Sequence, residues 1–148
     1  MTITKVIEWD MGHRVPNHKS KCRYPHGHRY RLELSVDGDL HAVPGSSSEG
    51  MVIDFGDIKE LLTASVHDVL DHGFMIYEGD PIMRPFFDSL EVADQDFRVI
   101  VVPFIPTVEN IAAWCYSEID AAMPSGNLIA NVRVYETPNS WADYGADA

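Results

Sequence analysis

The clearest pattern along the chain is an alternation between His28 and Val36. Tyr30, Leu32, Leu34 and Val36 share one face, and Arg29, Arg31, Glu33 and Ser35 share the other. Successive side chains of a strand point to opposite faces, so this period of two predicts a half-buried strand. Gly38 marks a turn after it. Ile3 to Asp10 reads as an earlier strand, Phe97 to Phe104 (FRVIVVPF) as a short buried one, and Ile129 to Glu136 as the last. On that last strand Val132, Val134 and Glu136 fall on the same face. Glu136 is therefore expected to be partly buried, and a carboxylate there needs partners.

Two segments change the period. From Asp54 to Leu70 the apolar residues Ile58, Leu61, Leu62, Val66, Val69 and Leu70 fall on one helical stripe, with Asp54 able to cap the start. Pro106-Thr107 opens a second helix with Thr107 as N-cap and Val108, Ile111, Ala112, Cys115 and Ile119 inward; Pro124 and Gly126 close it. The order β-β-α-β-α-β predicts an α+β fold, an antiparallel four-stranded sheet with two helices on one face. Such a sheet has two open edges, so oligomerisation that pairs them is expected. With 148 residues and no internal repeat, one domain over 1–148 is expected. Pro44 to Gly50 reads as a flexible connection within it.

Composition narrows the function. The net charge of −12 argues against nucleic acid or an anionic membrane as a general partner. No apolar run approaches the ~20 residues that span a bilayer, and MTITKVIEWDMGH lacks the apolar core of a secretory signal, so a cytoplasmic protein is expected. Two cysteines, Cys22 and Cys115, are too few for a disulfide framework. The charge is unevenly spread: residues 1–31 carry seven Lys and Arg against only Glu8 and Asp10. That basic segment suits a phosphate ester, or is a solvated loop.

The dense chemistry lies in Cys22-Arg-Tyr-Pro-His26-Gly-His28. Residues two apart on a strand point the same way, so His26 and His28 can aim at one ion, and neutral imidazole is a good zinc ligand. His13, in Met-Gly-His-Arg after the first strand, is the natural third ligand; His18 competes with it, and Cys22 can itself complete a Cys-His-His set. Three protein ligands leave a fourth position open, as in catalytic zinc sites. Cys115 lies on the apolar helical stripe and reads as core. Cys22 sits among Lys19, Lys21 and Arg23, cations that favour a thiolate fit to act as base or nucleophile. Asp71-His72 follows the first helix, where a carboxylate-steadied histidine can shuttle protons or simply end the helix. His41 and His67 have no partners in sequence and read as ordinary histidines.

At these residues the chain resembles the 6-pyruvoyl-tetrahydropterin synthase family, which includes the 6-carboxy-tetrahydropterin synthases. The resemblance covers nearly the whole chain. It rests on Gly12-His13-Arg14, Cys22-x-x-x-His26-Gly-His28, Gly50 to Gly56, Leu70-Asp71-His72, Pro106-Thr107-Val-Glu109-Asn110 and Val134-Tyr-Glu136-Thr137. It implies zinc (Zn2+) on His13, His26 and His28, a catalytic group of Cys22, Asp71 and His72, and Glu136 holding a pterin ring. Thr107 and Glu109 are implied near the pterin pocket. The implied fold is the tunnelling fold, whose sheets close into a barrel on oligomerisation, as a homohexamer of two trimers with sites between subunits.

Three residues between Cys22 and His26 resemble the bacterial carboxy-type enzyme of queuosine and 7-deazaguanine biosynthesis. That implies a zinc-dependent lyase converting 7,8-dihydroneopterin triphosphate to 6-carboxy-5,6,7,8-tetrahydropterin, acetaldehyde and triphosphate. Rival readings are the pyruvoyl-type reaction without C–C cleavage, a non-catalytic zinc module, and a Cys-His-Asp hydrolase. Arg14, Lys19, Lys21 and Arg23 are the expected seat of the triphosphate. The segment Gly73 to Ile105 is longer than in compact relatives and is expected to form an extra hairpin or lid. The tail Trp141 to Tyr144 is expected over the pocket or at a subunit contact.

Overall fold

Strand β1 (Thr2–His13) and strand β2 (His26–Asp37) pair antiparallel along their whole length, from Thr2 opposite Asp37 to His13 opposite His26. The computed structural model describes residues 1–92, 96–125 and 128–145, so the proposed helix end at Gly126 lies outside it. Helix α1 covers residues 55–70, then come β3 (Gly73–Tyr77), α2 (Met83–Val92), β4 (Val99–Val102), α3 (Val108–Ala122), β5 (Leu128–Thr137) and β6 (Ser140–Gly145). Among the described residues these strands form a six-stranded sheet in the order β4-β3-β1-β2-β5-β6. Among the described residues no helix is long and apolar enough to cross a membrane.

The fold is α+β, but the expected four-stranded antiparallel sheet is corrected to a mixed sheet of six strands. β1–β2, β2–β5 and β5–β6 are antiparallel, whereas β1–β3 and β3–β4 are parallel. The reason lies in the segment expected to be a hairpin or lid. Parallel neighbours need a crossover connection, and α2 supplies it between β3 and β4. The segment thus extends the sheet. The tail also becomes a strand: Trp141 pairs with Tyr135 and Tyr144 with Val132 on the outer edge. β4 is shorter and less buried than FRVIVVPF suggested, because it is an edge strand; Val102 is buried while Phe97 and Val101 are exposed.

The core follows the alternation closely. Tyr30, Leu32, Leu34 and Val36 of β2 and Val132 and Val134 of β5 are fully buried, as are Ile111, Ala112, Cys115 and Ile119 of α3. Thr107 caps that helix by accepting from the Asn110 N–H. Asp54 caps α1 through the Gly56 N–H.

In α1 the buried residues are Ile58, Leu62, Val66 and Leu70, and Val69 is exposed. Steps of four over-rotate an α-helix by about 40° each. The residues Thr63–His67 take a π-helical turn, whose wider winding absorbs the drift and keeps the four side chains on the sheet.

One ion pair is buried beside the end of β1. The Arg14 Nε–H donates to Asp80 Oδ2 at 2.6 Å, and Arg14 Nη1 reaches the Arg23 carbonyl at 3.2 Å. Asp80 Oδ1 accepts from the N–H groups of Ile82 and Met83, which starts α2. Burial pushes the Asp80 carboxyl up, but those N–H groups and the guanidinium outweigh it and hold the group below its ordinary value.

Asp80→Ala strands a buried cation and should cost about 3–5 kcal/mol in urea unfolding at pH 7. A carboxyl whose pKa is lower folded than unfolded stabilises above its unfolded value and loses that contribution as pH falls through the folded one. The gap between wild type and variant should therefore narrow in acid. Equal stability at pH 7 would contradict the pair's structural role.

Candidate metal centre and active site

The β1–β2 register brings three imidazoles together. His13 ends β1 directly opposite His26, and His28 lies opposite Met11 one step along the same face. One ligand atom from each histidine lies within 4.8 Å of the others, a grouping able to hold a metal ion. His13 is fully buried; His26 and His28 are partly exposed. His18, the rival third ligand, is engaged elsewhere, its Nδ1 accepting from the Ser20 N–H at 3.0 Å.

Backbone carbonyls orient the rings. His13 Nδ1 lies 2.7 Å from the Pro106 carbonyl, and His26 Nδ1 lies 2.7 Å from that of Tyr24. A carbonyl only accepts, so each Nδ1 carries the proton and each Nε2 presents a lone pair. The Nε2 atoms of His13 and His28 are buried and make no hydrogen bond. Buried polar atoms are ordinarily satisfied, and for His13, whose Nδ1 holds the proton, a cation is the partner that suits the Nε2 lone pair. The donor set therefore fits a metal such as zinc. Burial, reinforced by the neighbouring histidines and only partly offset by the Pro106 carbonyl, pushes His13 down to about 4, which keeps it neutral and able to ligate. Burial also lowers His28, against the opposing pull of Glu136.

Glu136 is aimed at this cluster. Its Oε1 lies 3.5 Å from His13 Nε2 and 3.9 Å from His28 Nε2. Beneath lies Tyr30, edge-on to His13 and His28 and stacked on Trp9 at 5.5 Å. The Tyr30 hydroxyl and Trp9 indole N–H are also buried without hydrogen bonds. Burial first, then the Glu136 charge, raises the Tyr30 phenol well above its ordinary value.

Cys22 is partly exposed in a single 3₁₀ turn, Lys21–Arg23, between β1 and β2. Its carbonyl accepts from the Val15 N–H at 2.8 Å, tying that turn to the chain two residues beyond His13. Cys115 is buried, and burial raises its thiol.

Asp71 and His72 lie on the other side of β1. Asp71 Oδ1 accepts from the Asp10 N–H at 3.0 Å, and the His72 N–H donates to the Asp10 carbonyl at 2.8 Å. His72 Nδ1 meets Asp71 Oδ2 at 2.7 Å, and His72 takes a left-handed backbone (φ 59°). The hydrogen bond from Asp10 is the main reason the Asp71 carboxyl is lowered, with His72 adding to it. His72 is exposed and borders an open concavity with Asp10, Gly12, Gly27 and His28. A Cβ on Gly12 would lie 2.5 Å from the Phe74 ring, so glycine there lets β3 close against β1 behind the histidines.

Thr107 and Glu109 are divided. Thr107 follows the Pro106 carbonyl that holds His13, and its hydroxyl caps α3; Glu109 is exposed on the first turn of that helix. Arg14 is corrected as a phosphate ligand, because it is buried against Asp80; Lys19, Lys21 and Arg23 are exposed. Sequence reasoning missed Pro106 and Tyr24, whose contribution is a backbone carbonyl that side-chain identity does not signal. It also missed Tyr30 as the floor, although Tyr30 lies two residues past His28 on the same face.

The family model described as 6-pyruvoyl tetrahydropterin synthase matches residues 2–147. A Rickettsia bellii protein named 6-carboxy-5,6,7,8-tetrahydropterin synthase is 34% identical over 142 residues, covering 95% of this chain and 96% of its own. A Haemophilus influenzae protein of that name is 30% identical, covering 96% of both. Among solved structures, a Caenorhabditis elegans 6-pyruvoyl tetrahydropterin synthase superposes with a TM-score of 0.68 at 22% identity over 99% of this chain and 95% of its own, a likeness of fold.

Zinc-loaded wild type should retain its metal through gel filtration. His13→Ala should weaken binding by at least about tenfold, the effect of losing even an outer partner of a ligand. Cys22→Ala should keep the metal, read by elemental analysis and chelator competition; loss of metal there would make Cys22 a ligand.

Proposed function

The chain belongs to the 6-pyruvoyl tetrahydropterin synthase family, and on that premise we propose that it is a zinc-dependent lyase of the carboxy type. Its reaction would convert 7,8-dihydroneopterin triphosphate and one water to 6-carboxy-5,6,7,8-tetrahydropterin, acetaldehyde and triphosphate, a step of queuosine and 7-deazaguanine biosynthesis. The observation that carries this reading is the three-histidine cluster with two buried, unpartnered Nε2 atoms, with three residues between Cys22 and His26. Nearly full-length likeness to proteins named for the carboxy-type reaction supports that product over the pyruvoyl type.

A zinc ion on His13, His26 and His28 would polarise side-chain oxygens of the substrate and acidify the adjoining C–H and O–H groups. The protein's own residues divide the remaining work. Glu136 offers its carboxylate to the N–H edge of the pterin ring and so sets the side chain toward the histidines. Cys22, in a turn tied to the chain beyond His13, takes a side-chain proton as general base. His72 donates its Nδ1–H to Asp71, which leaves Nε2 to exchange protons while triphosphate leaves and the C–C bond breaks. Tyr30 and Trp9 close the floor against water. Thr107 and Glu109 border the pocket at the start of α3, and Lys19, Lys21 and Arg23 offer charge to the triphosphate.

Asp71-His72 lies in the turn before β3, whereas the three histidines lie on β1 and β2. Asp71-His72 lies on the β3 side of β1, and His26 and His28 on the β2 side. Strands flanking a common neighbour are about 9–10 Å apart. We therefore propose that the Asp71-His72 dyad of one subunit serves the metal centre of another, in a homohexamer of two trimers whose sheets close into a barrel. The exposed side chain of His72 and the open edges at β4 and β6 support this.

Zinc-loaded protein incubated with dihydroneopterin triphosphate should release acetaldehyde and the 6-carboxy product, identified by mass. Cys22→Ala and His72→Ala should each lose about 10²-fold or more of turnover. Mixed oligomers of the two inactive variants should regain part of the activity if sites are shared between chains. No pterin product from metal-loaded, oligomeric protein would overturn the catalytic reading. A pyruvoyl product without acetaldehyde would reassign it.

A further inference from the structure

The turn that carries Cys22 has little of its own to hold it in place. It is one 3₁₀ turn, Lys21–Arg23, with no buried side chain and no side-chain cap. The Tyr24 N–H donates to the Lys21 carbonyl at 2.9 Å, which makes Lys21 to Tyr24 one small piece. Exposed segments with few apolar contacts open readily, so the piece depends on what ties it down. Two hydrogen bonds reach it from the chain after β1. The Val15 N–H donates to the Cys22 carbonyl at 2.8 Å, and Arg14 Nη1 donates to the Arg23 carbonyl at 3.2 Å. Both come from consecutive residues, and Arg14 is the one with a buried anchor.

That anchor is Asp80. Its N–H donates to the Tyr77 carbonyl at 2.9 Å, and its Oδ1 accepts from the N–H groups of Ile82 and Met83. The carboxylate is therefore locked to the end of β3, which itself runs beside the end of β1, with Met75 opposite His13. The Arg14 fork spans the gap, Nε–H to Asp80 Oδ2 and Nη1–H to the Arg23 carbonyl. A guanidinium carries its donors in one rigid plane, so a carboxylate that fixes one edge also fixes where the other points. The far end of the piece bears on the metal centre, because the Tyr24 carbonyl accepts the His26 Nδ1 proton at 2.7 Å.

We propose that Arg14 and Asp80 are positioning residues for the active site. The pair holds the Lys21–Tyr24 piece, and so sets where the Cys22 thiol stands and which nitrogen of His26 faces the metal site. The inference rests on the proposed roles of Cys22 and His26 and deepens them. It also gives the segment between β3 and β4 a task at the site, exerted through one carboxylate and the Arg23 carbonyl.

Two variants separate holding the turn from stabilising the fold. Arg14→Lys keeps a positive charge for Asp80, but one ammonium nitrogen cannot stand in both places of the fork. Asp80→Asn keeps an oxygen for the Ile82 and Met83 N–H groups, while its amide nitrogen cannot accept from Arg14. Each is measured under conditions where urea unfolding shows it folded. Metal-free protein at about pH 8.5, well above the ordinary histidine value of about 6.5, holds neutral imidazoles. Long-range proton–nitrogen correlation NMR then reads which ring nitrogen carries the proton. Wild type should show His13 and His26 both protonated on Nδ1. In the variants His26 should shift toward the Nε2–H form, while His13, held by Pro106, stays. With zinc restored, kcat should fall at least about tenfold and KM stay within about twofold, since a displacement near 1 Å can cost about 10²-fold. Lost stability alone moves neither readout in folded protein. His26 unmoved in the folded variants overturns the inference, whatever kcat does, and so does a moved His26 with wild-type kcat. Wild type that forms no pterin product instead overturns the proposed function, and the tautomer comparison then decides the pair's hold on the turn by itself.

Discussion

The antiparallel pairing of β1 with β2 is the constraint on which the rest of the site depends. His13 stands opposite His26 only because Thr2 stands opposite Asp37 eleven residues earlier, with one unbroken register between. A slip of one residue turns every side chain of a strand to the other face. Here it would scatter the three imidazoles and bury Arg29 and Arg31 instead. Two features hold the register where it matters. The buried Trp9–Tyr30 stack lies one step inside the histidines, and the Arg14–Asp80 pair anchors the chain just beyond His13.

Much of this was legible in the sequence because alternation carries both structure and chemistry. The period that buries Tyr30, Leu32, Leu34 and Val36 also aims His26 and His28 at one point, and the same period on β5 places Glu136 behind Val132 and Val134. The two long helices, with Asp54 and Thr107 as caps, follow from side-chain type alone. What the pattern hid was strand direction. GFMIY is too short and too evenly apolar to declare itself, and nothing local in it states that β3 runs parallel to β1. The π-helical turn was equally silent, although the four-residue spacing of Ile58, Leu62, Val66 and Leu70 is its trace. Arg14 misled for a different reason: its partner Asp80 is 66 residues away, in a segment whose packing the sequence did not reveal.

The electrostatics of the site form one system. Carbonyls from Pro106 and Tyr24 fix the protonated edges of His13 and His26, so the unprotonated edges converge. Burial keeps His13 neutral, and the Glu136 carboxylate lies 3.5 Å from its Nε2. Around it the protein is acidic overall, while Lys19, Lys21 and Arg23 flank Cys22 on the exposed side. A polyanionic substrate would thus meet three exposed cationic side chains beside the proposed catalytic thiol.

The account turns on a zinc ion held by the Nε2 atoms of His13, His26 and His28. A crystal structure of zinc-loaded protein, with anomalous data collected on both sides of the zinc edge, tests that directly. The account predicts one strong anomalous peak about 2.0–2.1 Å from all three Nε2 atoms, with the Nδ1 atoms of His13 and His26 still on the carbonyls of Pro106 and Tyr24. A peak on His18, on Cys22 in place of one histidine, or on any Nδ1 of the three would contradict it.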